Sequence, residues 1–256
     1  QTNFKQLVPD WAPSGADGKL IERLRDPKIR EKIKKETMEK GAAAGGSAKR
    51  ALIQLGLWDK IWLSECRVNT NLCGRNFAEI AKIRNATDPF DAVFDILIEE
   101  NAMGTIIGED KLQVDIDYAL NHPTSMVGSD GDALAPYGVL GRGRSNPRSY
   151  GTFPNVLARY VRERRVIGLE TAIRKMTSFP AQRLGLHDRG LLKPGMWADI
   201  VVFDQHRVMD KATYDSPYQY PEGIRYVLVN GRLVIEDAEH TEDLPGRIMK
   251  HKAQYY

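Results

Sequence analysis

Strand patterns alternate with helix patterns between residues 61 and 127, and this alternation constrains the fold more than any other feature of the chain. The strand patterns lie at residues 61–64 and 105–107. The helix patterns lie at residues 77–83, 89–100 and 114–120. Strands that alternate with helices favour a parallel sheet with crossover helices, and in such folds the chemistry lies at the carboxyl ends of the strands.

Further helices are predicted on both sides of this region. Leu20, Ile21 and Leu24 have helical spacing, and a second helix pattern starts at Pro27 and ends at Gly41. The small residues 42–47 that follow predict a turn or a mobile linker. Two core-facing helical stripes come later, one of Val156, Leu157, Tyr160 and Val161, the other of Leu169, Ala172, Ile173 and Met176.

The pattern changes to alternating β-branched and polar residues from Arg189 onward. Asn230-Gly231 lies between the apolar runs 226–229 and 232–235. An Asn-Gly pair between two such runs is typical of a type I′ hairpin, so we expect antiparallel strands here.

Composition excludes several classes of protein. The net charge of +3 is small and evenly spread, so we expect no nucleic acid as partner. No apolar run approaches the roughly 18 residues that span a bilayer, which favours a soluble chain. Cys66 and Cys73 match no common zinc spacing and are interpreted as ordinary buried thiols.

The first candidate functional residue is Asp130, in the segment Val127-Gly128-Ser129-Asp130-Gly131. An apolar run that ends in an acid between glycines predicts a buried strand that brings a carboxylate to the rim of an active site. Desolvation and a nearby metal could tune such a carboxylate for proton transfer. The alternative is a turn aspartate that satisfies local backbone groups.

The second candidate is Arg148, in the segment 146–154 with the sequence Asn-Pro-Arg-Ser-Tyr-Gly-Thr-Phe-Pro. A guanidinium matches a carboxylate in two-point geometry, which explains arginine rather than lysine at a carboxylate-binding position. The alternative is a surface arginine or a structural cap. The loop between the candidates, residues 132–145 with Arg142 and Arg144, is interpreted as a rim rather than a lid or a phosphate grip.

These two segments, together with residues 189–204, resemble the D-aminoacylase (N-acyl-D-amino-acid deacylase) branch of the metal-dependent amidohydrolase superfamily. The resemblance implies that Asp130 contacts the metal and acts as general base toward the attacking water. It also implies that Arg148 holds the free α-carboxylate of the substrate. The family has histidine where this chain carries Asn146.

The resemblance implies an α/β fold that is the carboxyl-terminal part of a (β/α)8 amidohydrolase barrel (TIM barrel) plus part of a small β-sandwich domain. Residues 1–188 would be the barrel portion, including an inserted helical segment. Residues 189–256 would be the carboxyl-terminal part of the small β domain with its tail.

The metal ligands of the family are missing from this sequence. Its five histidines, none of which we assign as a ligand, include no His-x-His pair and no His-Glu-x-x-His. We therefore expect zinc, one or two ions, to be bound mostly by residues outside this chain. We also expect a processed precursor, whose amino-terminal fragment carries those ligands and pairs with this chain as a heteromer. An incomplete chain is the competing explanation.

The function implied is hydrolysis of a linear amide in an N-acyl-D-amino acid or a related peptide-like substrate. One alternative is a non-catalytic binding or scaffold subunit. Another is a different amidohydrolase reaction, such as the opening of a cyclic amide, because a fold does not settle the chemistry. The compartment stays open between cytoplasmic and, if the missing part carries a signal, periplasmic or secreted.

Overall fold

The computed structural model describes residues 2–15, 18–40, 48–109, 111–141 and 144–249. The chain divides into two compact units, whose ranges are as follows. Unit 1 comprises Gln1–Lys111, Leu134–Asn146 and Thr213–Pro217. Unit 2 comprises Leu112–Ala133, Pro147–Ala212 and Tyr218–Tyr256. The predicted linker at 42–47 and Arg142 lie outside the described residues.

Unit 1 contains short strands and several helices. In chain order they are β1 (Thr2–Asn3), α1 (Lys19–Arg25), α2 (Pro27–Lys40), α3 (Ala48–Gln54), β2 (Ile61–Glu65), α4 (Phe77–Ile83), α5 (Pro89–Glu99) and β3 (Thr105–Gly108). The strands and helices predicted between residues 61 and 108 are therefore confirmed, with boundaries that agree to about one residue.

Helix α5 shows why these local patterns were reliable. The Asp88 side chain accepts a hydrogen bond from the Phe90 amide at 3.0 Å, and Pro89 occupies the first helical position. Both features are typical of a helix start. The helix is buried on most of its surface, and Phe94, Ile96 and Leu97 are at most 1% exposed. It contributes six buried residues to the unit 1 core.

The sheet of unit 1 differs from the predicted parallel sheet. Its strand order is β1-β3-β2, and both strand pairs are antiparallel, with Trp62 opposite Ile107 and Leu63 opposite Ile106. A single crossover helix returns the chain to the end where the previous strand began, which makes the next strand parallel. Here two helices, α4 and α5, follow β2 and pack on each other, so the chain enters β3 from the opposite end.

Cys66 and Cys73 form a disulfide, with Cα atoms 6.4 Å apart. Our interpretation of both residues as ordinary thiols was therefore wrong. The spacing alone gave no signal, because the approach of the two cysteines depends on how the chain turns between β2 and α4.

A buried carboxylate organises the same loop. Glu100 is 3% exposed and follows α5. Its carboxylate oxygens accept hydrogen bonds from the amides of Arg67 at 2.6 Å, Val68 at 3.0 Å and Asn69 at 2.6 Å, and from the Asn69 side chain at 2.9 Å. Burial raises the pKa of Glu100, but these donors outweigh burial and lower the pKa below its ordinary value.

Unit 2 combines helices with a second antiparallel sheet. In chain order its elements are α6 (Gln113–Asn121), α7 (Arg148–Asn155), α8 (Leu169–Met176), α9 (Ser178–Arg183), β4 (Ile200–Phe203), β5 (Ile224–Val229), β6 (Arg232–Glu236) and β7 (Glu239–His240). Residues Val156–Glu163 continue α7 as a π-helix. Both predicted helical stripes are confirmed as core faces, because Val156, Leu157 and Ala172 are buried in the core of this unit.

The hairpin predicted at Asn230-Gly231 is confirmed. Strands β5 and β6 pair antiparallel with Val229 opposite Arg232, and the two residues between them have φ values of +51° and +78°. A two-residue turn with positive φ at both positions is the type I′ geometry. The order of the sheet is β4-β5-β6-β7.

Across the part of the chain that the structure describes, no helix is long and apolar enough to cross a membrane.

Candidate active site

Asp130 lies in an irregular segment of unit 2 and not at the end of a strand. Residues 125–135 form no regular secondary structure, so the strand predicted to lead into Asp130 is wrong. The reason is that no described strand pairs with this segment, and an unpaired strand leaves its backbone groups unsatisfied. Asp130 instead has a left-handed backbone with φ of +47°, a conformation that aspartate adopts more readily than most residues.

Arg148 is the first residue of α7, after Pro147. The helix is anchored farther along by Asp210, whose carboxylate accepts a hydrogen bond from the Asn155 side chain at 3.0 Å. A side chain at Gly151 would crowd Asp210, because its Cβ would lie 3.0 Å from Cβ of Asp210. The position of Arg148 thus depends on a helix that is fixed at its far end.

Aromatic contacts fix the near end of the same helix. Tyr150 packs against Tyr218 with ring centroids 5.7 Å apart and nearly perpendicular planes, and against Tyr220 at 6.0 Å. Edge-to-face pairs of this kind add to the stability that burial provides. The segment Tyr-Gly-Thr-Phe-Pro recognised in the sequence therefore places Arg148 through packing.

The structure brings the two predicted site residues together. The Arg148 guanidinium Nη2 lies 2.7 Å from Oδ2 of Asp130. Gly131 allows this approach, because a Cβ there would lie 2.9 Å from Cα of Ser149. The Asp130 side chain is 86% exposed and that of Arg148 is 36% exposed, so both remain accessible to a small molecule. An exposed pair of this kind contributes only about 0–1 kcal/mol to stability, which makes it easy to separate.

Lys175 is a residue of this region that the sequence reasoning missed. It lies in α8, is 1% exposed, and its ammonium contacts the segment that leads to Asp130. The helical spacing in the sequence indicated its burial, because Lys175 follows the buried Ala172 by three residues and so lies on the buried face of the helix.

His122 and Arg144 have contacts of their own. His122 is the residue that caps the carboxyl-terminal end of α6. Arg144 is held within unit 1, where its guanidinium donates to the Asp215 carbonyl and its own carbonyl accepts from Ser64 Oγ at 2.5 Å. Among the described residues, no group of three or more His, Cys, Asp or Glu side chains could hold a metal ion. Asp130 is thus an accessible carboxylate, and the described residues offer it no partners for a metal site.

Comparison with known sequences gives clear relatives. The family model described as the amidohydrolase family, Amidohydro_3, matches residues 90–235. The chain is 43% identical over 137 residues to an N-acyl-D-aspartate deacylase of Alcaligenes xylosoxydans xylosoxydans, covering 54% of this chain and 26% of the relative. It is 36% identical over 188 residues to a D-aminoacylase of the same organism, covering 73% of this chain and 36% of the relative.

Solved structures agree with this relationship. A D-aminoacylase described as having a binuclear metal centre matches with a TM-score of 0.60 and 35% identity, over 72% of this chain and 36% of that protein. The N-acyl-D-glutamate deacylase of Bordetella bronchiseptica, solved with zinc and a phosphonate mimic of the tetrahedral intermediate, matches with a TM-score of 0.57 and 36% identity. That match covers 73% of this chain and 36% of the deacylase.

The chain spans between a quarter and just over a third of the length of these curated relatives. The family match covers more than half of this chain and includes Asp130, Arg148 and Lys175. The mixture of helices and strands is the α/β composition expected of the fold. This chain therefore belongs to the amidohydrolase family, in its D-aminoacylase branch.

Proposed function

We propose that this chain supplies the general base and the substrate-carboxylate clamp of a zinc-dependent enzyme that hydrolyses N-acyl-D-amino acids. The observation that carries the proposal is the pairing of Asp130 with Arg148 at 2.7 Å, in an accessible position within the family match. The relatives named as deacylases of N-acyl-D-aspartate and N-acyl-D-glutamate support the substrate class.

The pair matches the two ends of such a substrate. The Asp130 carboxylate would take a proton from the attacking water and later deliver it to the nitrogen of the leaving amine. A C–O bond forms and the amide C–N bond breaks, which yields a carboxylate and a D-amino acid. The Arg148 guanidinium would bind the α-carboxylate of the substrate through two parallel hydrogen bonds.

The contact between the two residues fits this assignment. In the structure the Arg148 guanidinium contacts a carboxylate, that of Asp130, through one N–O pair at 2.7 Å, which supports a role in carboxylate binding. When a substrate carboxylate takes this place, Asp130 is released toward the reacting centre. The low stability expected of an exposed pair makes this exchange possible at little cost.

Asp130 would also serve as one ligand of the zinc. Its carboxylate is exposed and of the right chemical type, whereas the described residues contain no group that could complete the site. Zinc, when bound, would supply a water of lowered pKa and polarise the amide carbonyl. The remaining ligands would come from polypeptide that carries the His-x-His pair of the family.

We further propose that residues 1–188 form part of the family's (β/α)8 barrel and residues 189–256 part of its small β-sandwich domain. The partner would be the amino-terminal portion of the same precursor. Denaturing intact-mass analysis of the purified native particle, combined with its zinc content, tests this. Additional polypeptide that carries His-x-His, separate or joined, together with zinc supports the proposal. A folded particle of the 28.8 kDa chain alone without zinc would support a binding or scaffold subunit instead.

Substitution of Arg148 with lysine tests the clamp. Lysine keeps the charge but loses the two-point geometry, so we expect KM for an N-acetyl-D-amino acid to rise by about 10- to 100-fold, with a smaller effect on kcat. Steady-state kinetics of the zinc-loaded enzyme measure both constants. Arg183→Lys is the matched control, because Arg183 is an exposed arginine of the same unit, at the end of α9. An unchanged KM in Arg148→Lys would show that Arg148 does not bind the substrate carboxylate.

A further inference from the structure

The Lys175 ammonium is fully engaged with the segment between α6 and Asp130. Its Nζ donates to the His122 carbonyl at 2.5 Å, to the Ser125 carbonyl at 3.0 Å and to Ser125 Oγ at 2.8 Å. A lysine ammonium has three N–H donors, so this set satisfies all of them. The lysine therefore acts as a fixed cross-link and not as a mobile surface charge.

The backbone of the same residue holds the next part of the segment. The Lys175 carbonyl lies near the end of α8, where helix carbonyls lack intrahelical partners, and it accepts a hydrogen bond from the Val127 amide at 3.2 Å. Val127 also packs against the apolar core of unit 2. Residues 122–127 are thus attached to α8 through both the side chain and the main chain of Lys175.

The attachment continues to the candidate site. Asp130 follows Val127 by three residues, and the Gly131 amide donates to Ser129 Oγ at 3.1 Å, which stiffens the turn between them. Residues 125–135 form no regular secondary structure, so the bonds to Lys175 help to define the direction in which the chain leaves the core toward Asp130.

Burial of a lysine costs free energy, because its charged ammonium group loses contact with water. Desolvation lowers the pKa of Lys175 below its ordinary value, and the positive charge of Arg174 lowers it further. An apolar residue in this place would avoid that cost but would take away the donor to the Ser125 carbonyl and one of the donors to the His122 carbonyl. The three bonds are therefore the reason for a lysine at this position.

We propose that Lys175 is a positioning residue, which sets the place of the Asp130 carboxylate by fixing residues 122–127 to α8. The proposal rests on the proposed function of Asp130 and deepens it. Lys175 touches neither substrate nor reacting atoms in this scheme and acts only through the segment that it holds.

Lys175→Met tests the proposal in the zinc-loaded enzyme. Hydrogen exchange measured by mass spectrometry should become at least about tenfold faster in residues 122–131, because the cross-link that protects them is lost. Exchange in the β5–β6 hairpin should stay unchanged. In the same protein kcat should fall by about 10- to 100-fold and KM should change by less than about threefold, as expected when a reacting group is misplaced. Lys193→Met, the same change at an exposed position, is the control.

Two further variants separate positioning from general loss of structure. Lys175→Arg keeps donors at the same place and should restore part of kcat. In a protein that already carries Asp130→Asn, Lys175→Met should cause no further loss of the residual rate, because both changes act on one group. If Lys175→Met does not fold, Ser125→Ala removes one acceptor of Lys175, together with the hydrogen bond from Ser125 Oγ to the His122 carbonyl, and should speed exchange of residues 122–131 by about threefold.

The outcomes distinguish this proposal from the proposed function. Wild-type exchange of residues 122–131 in Lys175→Met, or in Ser125→Ala if that variant has to replace it, would overturn the positioning role. Additive losses in the double variant with Asp130→Asn would do the same. Full turnover in Asp130→Asn alone would overturn the role of Asp130 as base, while the exchange measurement would still judge whether Lys175 holds the segment.

Discussion

Replacing Asp130 with asparagine is expected to lower kcat by about 10²- to 10⁴-fold, the range in which general acid–base groups contribute to catalysis. Asparagine has almost the same shape but cannot take up a proton from water. Because the Asp130 side chain is 86% exposed and its backbone has a left-handed conformation that asparagine also adopts, folding should be unaffected. Single-turnover kinetics with an N-acetyl-D-amino acid measure the effect on the chemical step.

The control for this experiment lies two residues along the same segment. Asp132 is an exposed aspartate, and Asp132→Asn removes the same charge from the same surface. Its kcat should equal that of the wild type. Turnover at the wild-type rate in Asp130→Asn, with folding and zinc content confirmed, would show that another group accepts the proton.

Glu100→Gln is expected to destabilise unit 1 by about 2–4 kcal/mol at neutral pH. The charged carboxylate accepts three backbone amides and one side-chain amide, and glutamine retains the shape but loses the charge that strengthens these bonds. The NH2 group of the glutamine side chain would also face backbone N–H donors, from which it cannot accept a hydrogen bond. Urea unfolding, with the Cys66–Cys73 disulfide intact, measures the change in the free energy of unfolding.

Glu99→Gln is the matched control, at the preceding residue. Glu99 is 39% exposed and pairs with Arg84 at 2.7 Å, so its loss should cost less than about 1 kcal/mol. Equal destabilisation by the two substitutions would mean that the buried amide contacts of Glu100 contribute no more than a surface ion pair.

The effect of Glu100 should depend on pH in a defined direction. Its folded-state pKa lies below 4.5, the ordinary value for the unfolded chain. A carboxylate with a lowered pKa contributes its full stability above the unfolded value and loses it as the pH falls through the folded value. The difference between wild type and Glu100→Gln should therefore shrink below pH 4.5, which unfolding curves at several pH values would reveal.

Local signals predicted the secondary structure well, because the physics that they report is local. The aspartate and proline before α5 form a helix start within three residues, and the Asn-Gly pair between β5 and β6 sets both positive φ angles of its own turn. The direction of β3 depends on the number of helices that precede it. That number is a property of the whole connection between β2 and β3, and the alternation of strand and helix patterns alone wrongly predicted a parallel sheet.

The candidate site was predicted in part for the same reason. The family resemblance implied a base at position 130 and a carboxylate clamp at position 148, but only the structure brings the two groups to 2.7 Å. The role of Lys175 was not predicted, because a lysine in an amphipathic helix ordinarily faces solvent. Its burial depends on carbonyl groups that lie about fifty residues earlier in the chain.

The loop between β2 and α4 is restrained in two chemically independent ways. The disulfide closes a ring around residues 67–72, and Glu100 binds three consecutive amides inside it. Thiol reductants break the disulfide but leave the Glu100 contacts, and acid weakens the Glu100 contacts but leaves the disulfide. Release of the loop therefore requires both treatments. An acid-active protease should cut within residues 67–72 when a reductant is combined with a pH below the lowered pKa of Glu100, and it should leave these residues intact when only one of the two is applied.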